Sequence, residues 1–531
     1  EKIDIRPKEK PDSIVKLENY TKWLSESIGI EESRLSDKFS SRKMVGKYLS
    51  SCFKSIIAGA PENIKIYYHN EEVVNITQKE GLLHLKPQQT AKPQESVKVH
   101  NLLLTTGHAG NRTELLDSKK VDSSIIDFVY PVEKTLVSIN AQASVAIKGM
   151  GLTFIDATLS LTEGRGGYFV GECETMQYIP SGNEPAIIYP YSRSGALMIP
   201  RVGEMPNVPV LRFFTSEKLR EIRKDSSQKF DFLEELLPLI KKEFIYRYYS
   251  LAFKNCGKKL NGSLEFAEML EEIKSFHSKY PSEKQFSFEE LQEPFINHEA
   301  YNTSIVKQSL EEMIEQVSLR TKSPLLAAIS AWHDISPIFN ELYSFGGLTA
   351  RSHQLFDNHY APFFNRISYG PPLENMYKIL ALFKVGIFDF TFGQSPTIQK
   401  VQNGKWQMEN ISAELDNRIV LDYHIDARIP RMNIPSQSSI LYKNLFEEGK
   451  IRAFQNTDDT GRYETGGMDL TREAHPIDKA GNVIKNMTVY GTPTEGVTFD
   501  NDTLSRSRND FSSIWAKQAV KSLKNFISTT K

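Results

Sequence analysis

The chain is poor in the residues that announce metal, thiol or serine chemistry. Its three cysteines, Cys52, Cys173 and Cys256, stand far apart and form no CxxC. That excludes a dithiol motif and a zinc site of paired cysteines. The eleven histidines include no HExxH. His353 and His359 flank Asp357, but their spacing does not stack two ligands on one helix face as i,i+4 would. There is no GxSxG, and no known motif sets a cysteine beside a histidine. Long apolar runs are missing too: Ile379 to Phe383 is among the longest, far below the roughly 18 residues of a membrane span. Charge of one sign is absent, and a net charge of −1 gives no reason to expect a nucleic-acid or anionic-membrane partner. The polar start has no signal-peptide core, and the scattered cysteines make the expected compartment reducing, hence cytoplasmic.

What is present is concentrated in Ser144 to Gly167, SVAIKGMGLTFIDATLSLTEGRGG. The apolar strand Val145-Ala146-Ile147 runs into Gly149-Met150-Gly151, and an amphipathic helix opens at Leu152. Strand, glycine turn and helix in that order form a mononucleotide-binding element. The glycines let the backbone approach a pyrophosphate, and the N–H groups and dipole of the helix N-terminus favour its charge. The third glycine of GxGxxG would fall at Phe154, so the match is incomplete. Upstream, the strand Leu102-Leu103-Leu104 ends in Thr105-Thr106-Gly107-His108. Downstream, AIIYPYSRSG (Ala186 to Gly195) is a second strand that ends in Ser192-Arg193-Ser194. That end would carry an acid for the ribose hydroxyl of NAD or an arginine for the 2′-phosphate of NADP. Here it carries an arginine. Arg193 lies about twice the usual ~20 residues beyond the glycines, which assigns the surplus to an insertion, Gly164 to Glu184.

Several segments resemble, in order, a bacterial family of FAD/NAD(P)-binding flavoproteins related to flavin-dependent monooxygenases. They are FSSRKMVGKYL (Phe39 to Leu49), LLLTTGH, GMGLTFIDATLSLTEGRGG, YSRSG, LDYHIDARIP (Leu421 to Pro430) and GTPTEGVTFDNDTLSRSRND (Gly491 to Asp510). GxGxTxxD, with Thr153 and Asp156, resembles the second nucleotide motif of flavoproteins that bind two dinucleotides. One departure stands out: the family opens on a strand and GxGxxG for FAD, and Glu1 to Tyr48 supply neither. The expectation drawn from this is a fragment that begins after the first βαβ unit.

At 531 residues the chain is too long for one core and suggests about two to four domains. Lys16 to Ile28 and Gly46 to Ile57 read as helices, and Ile64 to His69, Val73 to Gln78 and Leu82 to Leu85 as strands. From Thr215 the pattern turns helical. Leu233, Leu236, Leu237, Ile240 and Phe244 fall on one face, and Pro238 must kink that helix or begin a new one. Leu264 to Phe276 and Ile305 to Val317 are further amphipathic helices. Strand character returns at Ile387, near Ile398 and in RIVLDYHIDARI from Arg418, then at Thr488 to Tyr490 before a helix from about Phe511.

The expected fold is α/β, with two Rossmann-like dinucleotide-binding domains and a helical insertion. Its segments are 1–135 (partial FAD-binding domain), 136–214 (NAD(P)-binding domain), 215–386 (helical insertion) and 387–531 (a return to the FAD-binding domain). Candidate cofactor residues are Gly149, Gly151 and Thr153 at the glycine turn, and Ser192 and Arg193 at the second strand end. The resemblance adds Thr106 and Gly107, Arg42, and Gly491, Glu495 and Gly496 in GTPTEG, which implies a late loop beside the flavin. No catalytic side chain declares itself, as suits an enzyme whose cofactor carries the chemistry. The function implied is an FAD- and NADPH-dependent oxidoreductase acting on a small molecule, with oxygen or an organic molecule as acceptor. A non-catalytic nucleotide-binding sensor or assembly protein on the same fold is the alternative.

Overall fold

The computed structural model describes residues 15, 17–32, 40–88, 96–108, 124–201, 205, 208–223, 225, 228–410, 418–436, 439–501 and 509–530. The polar opening segment, Glu1 to Ser13, and part of the run after Gly491 lie outside them.

Ser144–Lys148 is the centre of a four-stranded parallel sheet ordered Ile125–Ile126, Tyr423–Asp426, Ser144–Lys148, Ile187–Tyr191. Val145, Ala146 and Ile147 are fully buried, as expected of a parallel strand covered on both faces. The helix Leu152–Leu161 follows and packs Phe154, Ile155, Ala157 and Leu161 into the core below. Between that helix and the next strand lie a short turn and an antiparallel hairpin, Tyr168–Val170 with Gln177–Ile179, which occupies the surplus noted in the sequence. The sheet gathers strands from three of the four segments delimited above, because Ile125–Ile126 and Tyr423–Asp426 flank one another in it.

The run from Arg418 is two strands rather than one. Arg418–Leu421 joins an antiparallel sheet with Trp406–Glu409 and Thr397–Lys400, and Tyr423–Asp426 enters the parallel sheet. Asp422 makes the break: its Oδ2 accepts from the Ser144 N–H and hydroxyl, both at 2.9 Å. A second, smaller parallel pair joins Leu102–Leu104 to Met487–Val489. Beside it, Val73–Lys79, Leu82–Pro87 and Val97–Val99 form an antiparallel sheet. The helix Ile440–Glu447 shares a core with these strands.

From 216 to 384 every described element is helical. Pro238 sits where a wide π turn, Phe232–Leu236, passes without a break into the helix Leu237–Asn255, the kind of local widening at which a helix accommodates an interruption of its hydrogen-bond ladder. That helix and Pro324–Tyr343 share an aromatic core in which the Trp332 and Phe364 rings stack at 3.6 Å. Phe499 enters the same core from the C-terminal segment, against Trp332, Phe339, Tyr343 and Phe356. No helix among the described residues is long and apolar enough to cross a membrane.

Candidate functional site

The candidate residues fall at the C-terminal ends of the two parallel arrays, where open α/β sheets bind ligands. Gly149, Gly151, Thr153, Ser192 and Arg193 belong to the four-stranded sheet. Thr106, Gly107, Gly491, Glu495 and Gly496 belong to the strand pair.

At the first end the chain leaves Lys148 and turns at Gly149, whose φ of 95° disfavours any side chain. The Gly149 N–H donates to the Tyr191 carbonyl at 2.8 Å, which ties the turn to the end of the neighbouring strand. A Cβ on Gly149 would lie 2.8 Å from Cγ of Arg428. Gly151 caps the helix, and among the described residues no side chain hydrogen-bonds to its first N–H groups, the condition under which a helix N-terminus receives an anion. Beyond Tyr191, the Ser192 hydroxyl accepts from the Gly195 N–H at 3.0 Å and Ser194 from Ala196 at 3.3 Å. Both serines thus shape the loop that carries the exposed Arg193. Thr153 is buried in the first turn of the helix.

Arg42 comes to the same helix from far upstream. It is the first residue of the helix Arg42–Ala58, and its guanidinium pairs with Asp156. Tyr130 donates to the same carboxylate at 2.5 Å. Burial, and then Asp156 itself, push the Tyr130 hydroxyl above its ordinary pKa, so it stays a donor. The aspartate of GxGxTxxD therefore fastens the glycine helix to the segment before it.

At the second end the Thr106 hydroxyl meets the Tyr442 hydroxyl at 2.5 Å, and burial raises Tyr442 to about 12. Gly107 and Gly491 both take positive φ, 59° and 83°. No atom of the described residues lies within 4 Å of where a Gly491 side chain would stand. Gly496, at φ 88°, lies so close to Thr465 that a Cβ would sit 2.6 Å from that side chain. Glu495 accepts from the Asn501 N–H at 2.6 Å, which makes it a brace of the loop.

Two constellations were not picked out as sites in the sequence. Asp426 and Arg428 stand at the end of the strand beside Ser144–Lys148, their side chains joined by two hydrogen bonds. Their signal was the segment LDYHIDARIP, whose place in the sheet spacing alone does not give. His353 and Asp357, weighed above as metal ligands, sit in a buried polar cluster. Asp357 accepts from Tyr343 at 2.7 Å and Tyr463 at 2.9 Å, and His353 Nδ1 meets the Asn456 amide at 3.1 Å. Burial lowers the His353 pKa, against the pull of Asp357.

Residues 1–109 match the FAD-NAD(P)-binding family. The chain is 26% identical to nitrosuccinic acid synthase of Aspergillus oryzae, over 87% of this chain and 73% of that protein. It is 23% identical to an L-aspartate N-monooxygenase (nitrosuccinate-forming) of Streptomyces davaonensis, over 87% of this chain and 75% of the other. A protein of the same name from Streptomyces cremeus is 24% identical, over 87% and 73%.

Proposed function

We propose that this flavin monooxygenase-like oxidoreductase binds FAD and NADPH and oxidises the amino nitrogen of a small amino acid, with L-aspartate the first substrate to test. The observation that carries the reading is the uncapped glycine turn, Gly149 to Gly151, with Arg193 at the end of the adjoining parallel strand. It occurs in a chain similar over most of its length to proteins named for N-oxygenation of aspartate. In this reading residues 136–214, with strands Ile125–Ile126 and Tyr423–Asp426, hold the nicotinamide nucleotide. Segments 1–135 and 387–531 supply the FAD-binding domain, with Thr106, Gly107 and Gly491 to Gly496 beside the flavin, and 215–386 is the helical insertion that shapes the substrate space.

When bound, FAD would take hydride from NADPH and supply the oxygen chemistry. The chain's own residues bind and orient. The first N–H groups of the Leu152–Leu161 helix receive the pyrophosphate, and Arg193 takes the 2′-phosphate. A charge-assisted contact of this kind corresponds to about ten- to a hundredfold in affinity. Arg193→Ala should raise the dissociation constant for NADPH by that factor and leave NADH nearly unchanged, in nucleotide titrations of the purified full-length protein. Equal losses for both nucleotides would assign Arg193 to the fold or the shared pyrophosphate. Oxygen uptake coupled to NADPH oxidation and dependent on L-aspartate tests the substrate. A flavin-loaded protein that consumes NADPH identically with and without amino acids would remove that assignment.

A further inference from the structure

The glycine turn has a neighbour that neither the motif nor the relatives' names assign. Tyr423–Asp426 runs parallel to Ser144–Lys148 in a register that sets Asp426 opposite Lys148. The two strands end together, and the chain after Asp426 passes Ala427 and Arg428 across the turn that follows Lys148. The Ala427 N–H donates to the Lys148 carbonyl at 2.8 Å. The aliphatic stem of Arg428 then lies against Gly149: a side-chain carbon there would sit 2.8 Å from Arg428 Cγ and 3.3 Å from the Ala427 carbonyl oxygen. The glycine is therefore required twice, by its φ of 95° and by the arginine packed on it.

The guanidinium is held in place. Asp426 Oδ1 accepts from the Arg428 backbone N–H at 3.1 Å and from Nε at 2.8 Å, and Oδ2 accepts from Nη2 at 2.6 Å. Burial alone would raise the Asp426 carboxyl. The Arg428 hydrogen bonds and charge, with Lys148 adding to them, outweigh it and keep the group ionised. A guanidinium has five N–H donors in a fixed fork. Asp426 engages two of them, and no described residue accepts from Nη1. The Arg428 side chain is 56% exposed although its stem is packed. With Lys148 beside it, the local balance is positive despite Asp426. A flexible surface arginine would not be anchored at three atoms while offering its remaining donors at the C-terminal ends of parallel strands, where such sheets bind ligands.

We propose that Arg428 is a ligand for the pyrophosphate of the nucleotide, oriented by Asp426 and seated on the turn by Gly149. This rests on the nucleotide reading above and deepens it. Arg193 reads the phosphate that distinguishes NADPH, whereas Arg428 holds the diphosphate that NADPH, NADH and ADP share.

The experiment titrates ADP, NADH, NADPH and adenosine into the full-length protein and into Arg428→Ala, Arg428→Gln, Arg428→Lys and Asp426→Asn. Arg428→Ala and Arg428→Gln should raise the dissociation constants of ADP, NADH and NADPH together by about ten- to a hundredfold. Adenosine, which has no phosphate, should bind as before. Arg428→Lys should recover part of the loss, since lysine restores the charge without the fork. Asp426→Asn should weaken ADP by a smaller factor, because the guanidinium loses its anchor but stays charged. Glutamine keeps much of the stem that covers Gly149, so it reports on the charge should the alanine variant fail to fold. Wild-type affinity for ADP and NADH in Arg428→Gln overturns the proposal. An equal loss for adenosine also overturns it, because the residue would then hold the fold. A wild-type protein that binds none of the three phosphorylated probes overturns the nucleotide reading, and this inference with it.

Discussion

The two strand ends that carry the candidate residues are built in opposite ways. At the four-stranded sheet, strand, turn and helix come from one continuous stretch, Ser144 to Leu161, onto which Arg42, Arg193 and Arg428 are brought from elsewhere. At the strand pair, Leu102–Leu104 and Met487–Val489 meet across most of the chain. The loop beyond Val489 is then fastened outward: Phe345 donates to the Val497 carbonyl at 2.7 Å, and the Asn340 amide donates to that of Phe499. A locally encoded end needs little support from distant residues. A non-locally encoded end takes its shape from the core it is tied to, and its geometry should fail when that core is disturbed.

Phe499→Ala is the strongest way to break this comparison. The ring is 9% exposed among four aromatic side chains of the helical core, and truncating such a residue costs about 3–5 kcal/mol. Denaturant unfolding should register that loss. Flavin release on warming should begin earlier, while NADPH affinity at low temperature stays at the wild-type value. A Phe499→Ala protein that loses NADPH affinity and flavin in step would show that the two ends are not separately supported.

Acid should act on the first end. His424, in the Tyr423–Asp426 strand, has its pKa lowered to about 4, chiefly by burial, with Lys148 and Arg428 adding to the effect against Asp426. Its Nε2 meets the Tyr191 hydroxyl at 2.8 Å, and its Nδ1 is buried without a partner among the described residues. The unfolded chain binds this proton near pH 6.5, and the folded sheet does so only near 4. The stability tied to the neutral ring is therefore whole above pH 6.5 and is lost as the pH falls toward 4. Its size is on the order of 3 kcal/mol. His353, lowered in the same direction, adds to the decline from the helical side. Stability measured against pH in wild type and His424→Gln separates the two, since the glutamine variant should show a shallower slope through that window. Identical slopes would remove His424 from the account.

The same contrast explains what was legible. Helix Leu152–Leu161 and the positions of Gly149 and Gly151 could be read directly, because periodicity and a glycine turn are local signals. Arg428 could not, because only strand pairing brings it to Gly149. Ile387 to Phe390 reads as a strand, yet it makes a single bridge, Ile188 to Phe388. Its phenylalanines pack with Phe383 instead, and a short apolar run does not distinguish the two outcomes. Ile64 to His69 has strand composition but forms no strand. Ile64, Ile66, Tyr67 and Tyr68 are exposed, so the pattern has no partner among the described residues to pair with.

The smallest expected effect tests what Arg42 does at the first end. The family resemblance offers Arg42 as a cofactor residue, and the structure pairs it with Asp156 on the glycine helix, with 67% of its own side chain exposed. An exposed ion pair contributes about 0.2–1 kcal/mol, so Arg42→Ala should lower stability by no more than that. Asp156 keeps its hydrogen bond from Tyr130 in the variant, which limits the loss further. If the pair is all that Arg42 provides, Asp156→Ala should cost more than Arg42→Ala, because it also removes the acceptor of the half-buried Tyr130 hydroxyl. In addition, the double variant should cost no more than Asp156→Ala alone. If Arg42 instead contacts a cofactor phosphate, Arg42→Ala should weaken flavin or nucleotide binding about tenfold or more while Asp156→Ala does not. Stability and cofactor affinity measured across the four proteins decide between a strut linking the helix at Arg42 to the glycine helix and a ligand borrowed from it.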